Sequence, residues 1–241
     1  MKHSPPATLE RIVPEGLESG SATGQETLEL HLARYRFAVE HIPAGVVLDL
    51  ACGVGYGSAM LANSPAISMV VAGDISRAAL AHAKAVYSHP RVKLCCGSYA
   101  DSFRPRSFDA IVSLETIEHV PDPAKLVGQF ARLLRPGGRL IASVPVTPSV
   151  DANPHHLTDF SRNSFLRLGR SAGFTPLFRL EQTQPYSMFR VLSRTEQRTQ
   201  DLRRGLLGYY LTHPMSALRR AVSTARYGFT NRYLTVVWQL E

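Results

Sequence analysis

Apolar residues recur along this chain in two alternating rhythms. Short continuous apolar runs, each closed by glycine, proline or an acid, alternate with stretches whose apolar residues keep helical spacing. Val46, Val47, Leu48 and Leu50 form the first run, as expected for a strand buried on both faces. Met69-Val-Val-Ala-Gly-Asp74, Val92-Lys-Leu-Cys-Cys96 and Phe108-Asp-Ala-Ile-Val-Ser-Leu114 follow it. Before the first run, Leu28, Leu32, Tyr35, Val39 and Ile42 predict a helix over Gln25–His41 that packs over a cleft at the sheet. The alternation continues to about residue 182 and predicts an α/β fold, a doubly wound sheet with helices on both faces. Leu177-Phe-Arg-Leu-Glu181 and Leu234-Thr-Val-Val-Trp-Gln-Leu240 read as the sixth and seventh strands. Residues 183–232 between them are too long for a hairpin and read as a helical insertion, a cap before the last strand. Residues 1–24 carry prolines, glycines and serines and read as an irregular arm, which leaves 25–241 as the folded domain.

The connection after the first strand carries the chemistry. Val47-Leu-Asp-Leu-Ala-Cys-Gly-Val-Gly-Tyr-Gly-Ser58 runs from strand through a glycine turn into a helix. Glycines let the backbone turn tightly and approach a ligand without side-chain obstruction. The second strand ends at Asp74, 21 positions after Gly53, where an acid can accept hydrogen bonds from both hydroxyls of a ribose. Asp74 or Ser76 also suits the N-cap of a helix over 77–87, and the two roles are compatible. The dinucleotide fingerprint Gly-x-Gly-x-x-Gly requires its third glycine at position 58, and Ser58 stands there, which disfavours a nicotinamide dehydrogenase.

The pattern present is Asp49-x-Ala51-x-Gly53-x-Gly55. It resembles the first motif of class I S-adenosylmethionine-dependent methyltransferases, with Ala51 in place of a glycine. Phe108–Pro123 resembles the fourth-strand segment of that family, and Leu133–Pro145 the helix, turn and fifth strand after it. His155–Ser161 and Ser171–Phe174 also match, so the resemblance covers roughly 30–182 in order. It implies a Rossmann-like, mostly parallel seven-stranded sheet whose last strand inserts antiparallel between the fifth and sixth. It also implies S-adenosylmethionine as cofactor, held outside the carboxyl ends of the strands. Asp49, Ala51, Cys52, Gly53 and Gly55 are then the cofactor turn, with Asp74 on the ribose and Ile75 on the adenine. The loop after the third strand, Ser98 and Tyr99, lies at the adenine; where the family often has an aspartate, Ser98 is a weaker acceptor, and Tyr99 backbone or Asp101 substitutes. The Leu114 carbonyl is placed for the methionine ammonium, and Arg34 for its carboxylate.

Glu115-x-x-Glu118-His119, directly after the fourth strand, is the catalytic candidate. Two carboxylates and an imidazole within five residues can converge on one divalent cation. The motif resembles that of ubiquinone-biosynthesis O-methyltransferases and of small-RNA terminal 2′-O-methyltransferases, and implies Mg²⁺ or Mn²⁺ on Glu115, Glu118, His119 and His156. Metal-free relatives carry the same motif, so Glu115, His119 and His156 equally form a catalytic set, with His119 or His156 as general base for a hydroxyl acceptor. A segment at Leu9–Pro14 and His31–Tyr35 is similar to bacterial enzymes of glycan and natural-product pathways. The expected reaction is O-methylation of a small molecule or a glycan unit. The alternatives are metal-dependent RNA 2′-O-methylation and a regulatory protein that binds the cofactor without turnover.

Composition narrows the partners. The net charge is +8 over 241 residues, and the arginines crowd 190–232, where Glu196 and Asp201 are the acids. Such a face attracts an anionic partner: nucleic acid, phosphorylated substrate or a membrane surface. No separate RNA-binding motif accompanies it, which places RNA behind a small-molecule acceptor. No apolar run is long enough to span a bilayer, and the N-terminus has no secretory pattern, so the expected compartment is the cytoplasm. Cys52, Cys95 and Cys96 make no disulfide framework and read as reduced, buried thiols. A homodimer is compatible with the sequence.

Overall fold

A computed structural model describes residues 13–14, 22–97, 101–186, 203 and 205–241. Its seven strands form one sheet. They are β1 (Gly45–Leu50), β2 (Ile67–Asp74), β3 (Val92–Cys96), β4 (Phe108–Leu114), β5 (Leu134–Pro145), β6 (Phe174–Pro185) and β7 (Thr230–Leu240). Their order is β3-β2-β1-β4-β5-β7-β6, with β1 parallel to β2 on one side and β4 on the other. Strand β7 runs antiparallel to both neighbours, between β5 and β6. The direction of winding therefore reverses between β1 and β4, and a crevice opens at the carboxyl ends there.

Alternation of side chains splits the interior into two cores, one per face of the sheet. Val47, Ala110, Val112, Ile141 and Val237 meet α1 (Ala22–His41), α2 (Tyr56–Asn63) and α3 (Arg77–Val86). Leu48, Ile111, Leu140, Val236 and Trp238 meet α4 (Pro123–Leu133) and α5 (Arg162–Ser171). The antiparallel pair of β6 and β7 is longer than its apolar stretches suggest, because their ladder runs from Phe174↔Leu240 to Pro185↔Thr230. Prolines 176 and 185 are tolerated in β6 because it is an edge strand. The connection before β7 thus begins at 186 and ends at 229, and carries α6 (Leu206–Thr212) and α7 (Pro214–Tyr227). Much of the N-terminal arm lies outside the described residues; Val13 is buried against Val54 and Ala79.

The glycine turn is fixed from both sides. Gly55 has φ 92°, and a Cβ there would stand 2.6 Å from that of Ala83. A Cβ on Gly57 would fall 1.9 Å from Cζ of Tyr35, so α1 and α2 touch ring to backbone at this point. Gly57→Ala gains helix propensity yet forces the Tyr35 ring out of place. We expect a net loss of about 1–3 kcal/mol in denaturant unfolding, the usual cost of overpacking.

Candidate active site

A cleft of about 790 Å³ lies over the carboxyl ends of β1, β2 and β4. Ala51, Cys52, Gly53, Asp74, Ile75 and Leu114 line it. Gly53 takes φ 57°, and a Cβ there would meet nothing within 4 Å, so this backbone faces open space. Its N–H donates to Asp74 Oδ2 at 2.9 Å, and the Ser76 N–H donates to Oδ1 at 2.8 Å. Asp74 thereby stitches the β1 turn to the β2 turn, while Ser76 caps α3 through the Ala79 N–H. Ile75 is 74% exposed on the cleft wall, an unusual position for a large aliphatic side chain and one suited to a flat apolar ligand. Ala51 adopts φ 63°, the left-handed conformation that glycine takes without strain. The Leu114 carbonyl accepts from Thr116 Oγ1 at 3.0 Å. Burial pushes the Cys52 thiol up, with the Asp49 and Asp74 charges adding to it, so it sits as a small apolar group.

Three cofactor candidates, Asp49, Gly55 and Arg34, lie behind the wall instead of on it. Asp49 is buried, and accepts from Ser58 Oγ at 2.5 Å and from the Tyr35 hydroxyl at 3.3 Å. Ser58, the residue that breaks the dinucleotide fingerprint, therefore anchors α2 to β1. Gly55 packs on Ala83 behind the turn. Arg34 is also buried; its Nε donates to Gln182 at 2.7 Å, its Nη1 lies 3.4 Å from Glu115 Oε1, and its guanidinium covers the Tyr233 ring at 4.4 Å. The sequence reading places Arg34 at a methionine carboxylate; in the structure it is engaged in this clamp and is not among the residues that line the cleft. Ser98 and Tyr99 lie outside the described residues. Asp101 lines the cleft, bonded to Gln129 Nε2. His31 and Tyr35, one turn apart on α1, also line the cleft, although the sequence reading does not place them in the site; their helical spacing toward the cleft is the signal that could have found them.

After β4 the chain turns sharply. Glu115 has φ 51°, a strained conformation for a residue with a side chain, and Ser143 and Arg34 hold it there. Ser143 Oγ donates to Glu115 Oε1 at 2.7 Å. A single 3₁₀ turn, Ile117–His119, then carries Glu118 inward and His119 to the cleft. The Glu118 carbonyl accepts from the Leu157 and Thr158 N–H groups, which brings the His155–His156 loop alongside. The rings of His119 and His156 meet edge to face at 4.6 Å. One ligand atom each from Glu118, His119 and His156 lie within 4.8 Å of one another. Glu115 belongs to the Arg34 clamp and not to this trio.

Charge in the trio is unusual. Glu118 is fully buried, and neither carboxylate oxygen has a hydrogen-bond partner among the described residues. Burial, then the neighbouring Glu115, push its carboxyl well above the usual carboxylate range. Burial, then His119 and His155, pull His156 down to about 3, so its ring is neutral at physiological pH. His119 Nδ1 lies 3.2 Å from the His155 carbonyl oxygen, which can only accept, so Nδ1 is the donor there; in the neutral ring this tautomer leaves the lone pair on Nε2.

The comparisons agree with this geometry. Residues 48–142 match the methyltransferase domain family. A "probable S-adenosylmethionine-dependent methyltransferase" of Mycolicibacterium smegmatis is 32% identical over 176 residues, which cover 70% of this chain and 65% of that one. The ubiquinone biosynthesis O-methyltransferase of Alkalilimnicola ehrlichii is 40% identical over 102 residues, 40% of each chain. The chain thus spans less than two thirds of the length of these relatives. Among solved structures, the N-methyltransferase NodS of Bradyrhizobium japonicum, in complex with S-adenosylhomocysteine, superposes with a TM-score of 0.58 at 12% identity, over 92% of this chain and 89% of that one. The [4+2]-cyclase SpnF superposes at 0.60 and 19% identity, over 92% and 84%.

The Asp49 carboxyl yields a prediction in pH. Burial raises it from 3.8 to about 7, with Asp74 adding to the rise and the Ser58 and Tyr35 bonds opposing it. The folded chain keeps a proton that the unfolded chain releases above its ordinary value. Asp49 therefore favours folding fully below that value, and this contribution is lost as pH rises to about 7. Asp49→Asn keeps the shape and removes the titration. In thermal melts its Tm should fall less than that of the parent between those two pH values; parallel curves would contradict the assignment. The loop motifs, sheet order and relatives converge on the class I S-adenosylmethionine-dependent methyltransferases, the family this chain resembles, with the methyltransferase domain matched at residues 48–142.

Proposed function

We propose that this chain transfers the methyl group of S-adenosylmethionine to a hydroxyl oxygen of a small molecule or glycan unit. The observation that carries the reading is the placement of His119 at the cleft, beside the neutral His156 and behind the turn at Glu115. The sulfonium methyl is already electrophilic, so the protein has to align the acceptor, receive its proton and exclude water. Gly53 and Asp74 hold the cofactor's polar end and ribose, and Ile75 packs on the adenine. His31 and Tyr35 of α1 close the cleft from above. His119 Nε2 takes the acceptor proton, while the proton on Nδ1 stays on the ring and is donated to the His155 carbonyl. The Arg34–Glu115–Ser143 clamp fixes the turn that aims His119. A hydroxyl acceptor is consistent with the O-methyltransferase among the relatives.

The buried Glu118 carboxylate favours a second reading of the same cluster. An unpartnered buried acid beside two imidazole nitrogens is a donor set that fits a divalent cation. Glu118, His119 and His156 would hold Mg²⁺ or Mn²⁺, with Glu115 outside the set. Such an ion lowers the pKa of an acceptor hydroxyl and orients it. The basis for RNA as acceptor is weaker, since the cluster alone does not select a polynucleotide.

Two measurements test these readings. In calorimetry, Asp74→Ala should weaken S-adenosylmethionine and S-adenosylhomocysteine together by about 1–3 kcal/mol, the cost of removing charge-assisted bonds. Tight NADH binding with no response to S-adenosylhomocysteine would overturn the cofactor. With labelled methyl donor and an acceptor panel, His119→Ala should lower turnover by roughly 10²–10⁴-fold. Activity abolished by chelator and restored by Mg²⁺ or Mn²⁺ selects the cation reading; indifference to chelator selects the histidine base. Full turnover in both His119→Ala and His156→Ala defeats the constellation altogether.

A further inference from the structure

The helices α6 and α7, between β6 and β7, have two unlike sides. Their inner side is polar and tied down. Arg220 forks onto Asp151, with Nη2 2.5 Å from Oδ1 and Nε 2.8 Å from Oδ2. The Tyr210 hydroxyl donates to Asp151 Oδ2 at 2.6 Å, and Arg203 reaches the Val150 and Asp151 carbonyls. Burial alone would raise the Asp151 carboxyl, but Arg220 and Tyr210 hold it below its usual range, so this node is ionic.

Their outer side is apolar and uncovered. Leu207 is 82% and Leu211 85% exposed, one turn apart on α6; Met215, Leu218 and Val222 repeat at helical spacing on α7 and are each more than half exposed. Aliphatic side chains of this size on one solvent-facing stripe mark an interaction surface. The exposed Arg219 and Arg226 stand four residues after Met215 and Val222, hence on that same face. No acid occurs between Asp201 and Glu241. A face that presents leucine, methionine and valine flanked by arginine, on helices whose own sequence holds no acid, is complementary to an anionic lipid surface: the aliphatic groups enter the acyl boundary and the guanidinium groups meet the headgroups. A polynucleotide would leave the aliphatic stripe in water, and a protein partner gives no reason for the one-signed charge. Among the described residues no helix is long and apolar enough to cross a membrane, so contact of this kind is peripheral.

We propose that α6 and α7 dock the protein onto the surface of an anionic bilayer. The inference is independent of the methyl-transfer reading. The docked face has a rigid link to the cleft mouth: Asp151 belongs to the loop in which Ser149 Oγ lies 2.7 Å from His156 Nδ1. A bilayer that holds the outer side of α7 therefore lies on the same rigid unit as the His156 loop.

Co-sedimentation of the full chain with vesicles tests the proposal. Binding should appear with phosphatidylcholine–phosphatidylglycerol vesicles, be far weaker with phosphatidylcholine alone, and fall as salt is raised. Leu207→Ser with Leu211→Ser should weaken it at least about tenfold, as the loss of two buried aliphatic groups requires. Arg219→Glu with Arg226→Glu should weaken it on anionic vesicles only. Unchanged circular dichroism and S-adenosylhomocysteine affinity in these variants separate loss of docking from misfolding and from any failure of the cofactor assignment. The proposal is overturned if the chain ignores anionic vesicles or if the leucine variants bind them as well as the parent. It is equally overturned if the leucine variants instead abolish a concentration-dependent dimer, or if the arginine face binds short RNA in preference to vesicles.

Discussion

One buried carboxyl group fixes the geometry on which the rest of the site depends. Asp49 sits at the end of β1, where the sheet changes its winding direction, and is shut away from bulk solvent. A group in that position must be satisfied by protein donors or hold its proton. Ser58 and the Tyr35 hydroxyl supply the donors, one from α2 and one from α1. Both helices are thereby registered against the same strand residue, and the turn between β1 and α2 has only one path left. Gly57 is needed because the Tyr35 ring that reaches Asp49 occupies the space of a Cβ. Gly53 is then left facing the cleft with its N–H on Asp74. The depth and width of the crevice follow from these contacts and not from the sheet alone.

A second polar group performs the same service on the other side of the crevice. Arg34 is enclosed by α1, β6, β7 and the turn after β4, and its charge is balanced by Glu115 at the strained end of β4. An arginine so enclosed is costly without a carboxylate partner. That dependence locks Glu115 into a left-handed turn it would not adopt alone, and the turn sends the next four residues across the cleft mouth. Remote strands β6 and β7 thus contribute to the position of His119 through Gln182 and Tyr233, although neither touches the cleft.

The sheet and its helices are legible in the sequence because both report through side-chain periodicity. The buried runs at 46–50, 69–74 and 108–114 alternate faces, and the family motifs set their order. Strand ends are less legible. Phe174–Pro176 and Thr183–Pro185 have no apolar alternation and become strand only through pairing with β7. The cleft positions Ala51, Gly53, Asp74, Ile75 and Leu114 can be placed because they follow strand ends. The Arg34 clamp is not legible in the sequence, because a helical arginine looks the same whether it faces a ligand or a distant glutamate. Spacing groups Glu115 with Glu118, but spacing says nothing of a residue with φ 51° that sends its carboxylate backward. The trio of Glu118, His119 and His156 joins segments 37 residues apart and needs the Leu157 and Thr158 bonds to form.

The fold alone does not decide the reaction. The same architecture superposes on an N-methyltransferase and on a [4+2]-cyclase, so chemistry must be argued from what is added to the sheet. Here the additions converge on one corner. The turn after β4 supplies His119 and the buried Glu118; the loop after β5 supplies His156; the helices before β7 grip that loop through Asp151. Each addition is polar where it faces the others and is closed by charge-assisted bonds, which makes the corner rigid. Glu118 stands apart as a buried acid, neither of whose carboxylate oxygens has a hydrogen-bond partner among the described residues. A buried acid of this kind is completed by a proton or by a cation, and the two proposed readings of the cluster differ in which of these it holds. The buried acid, more than the glycine turn, is therefore the feature that distinguishes this corner from the sheet it is built on.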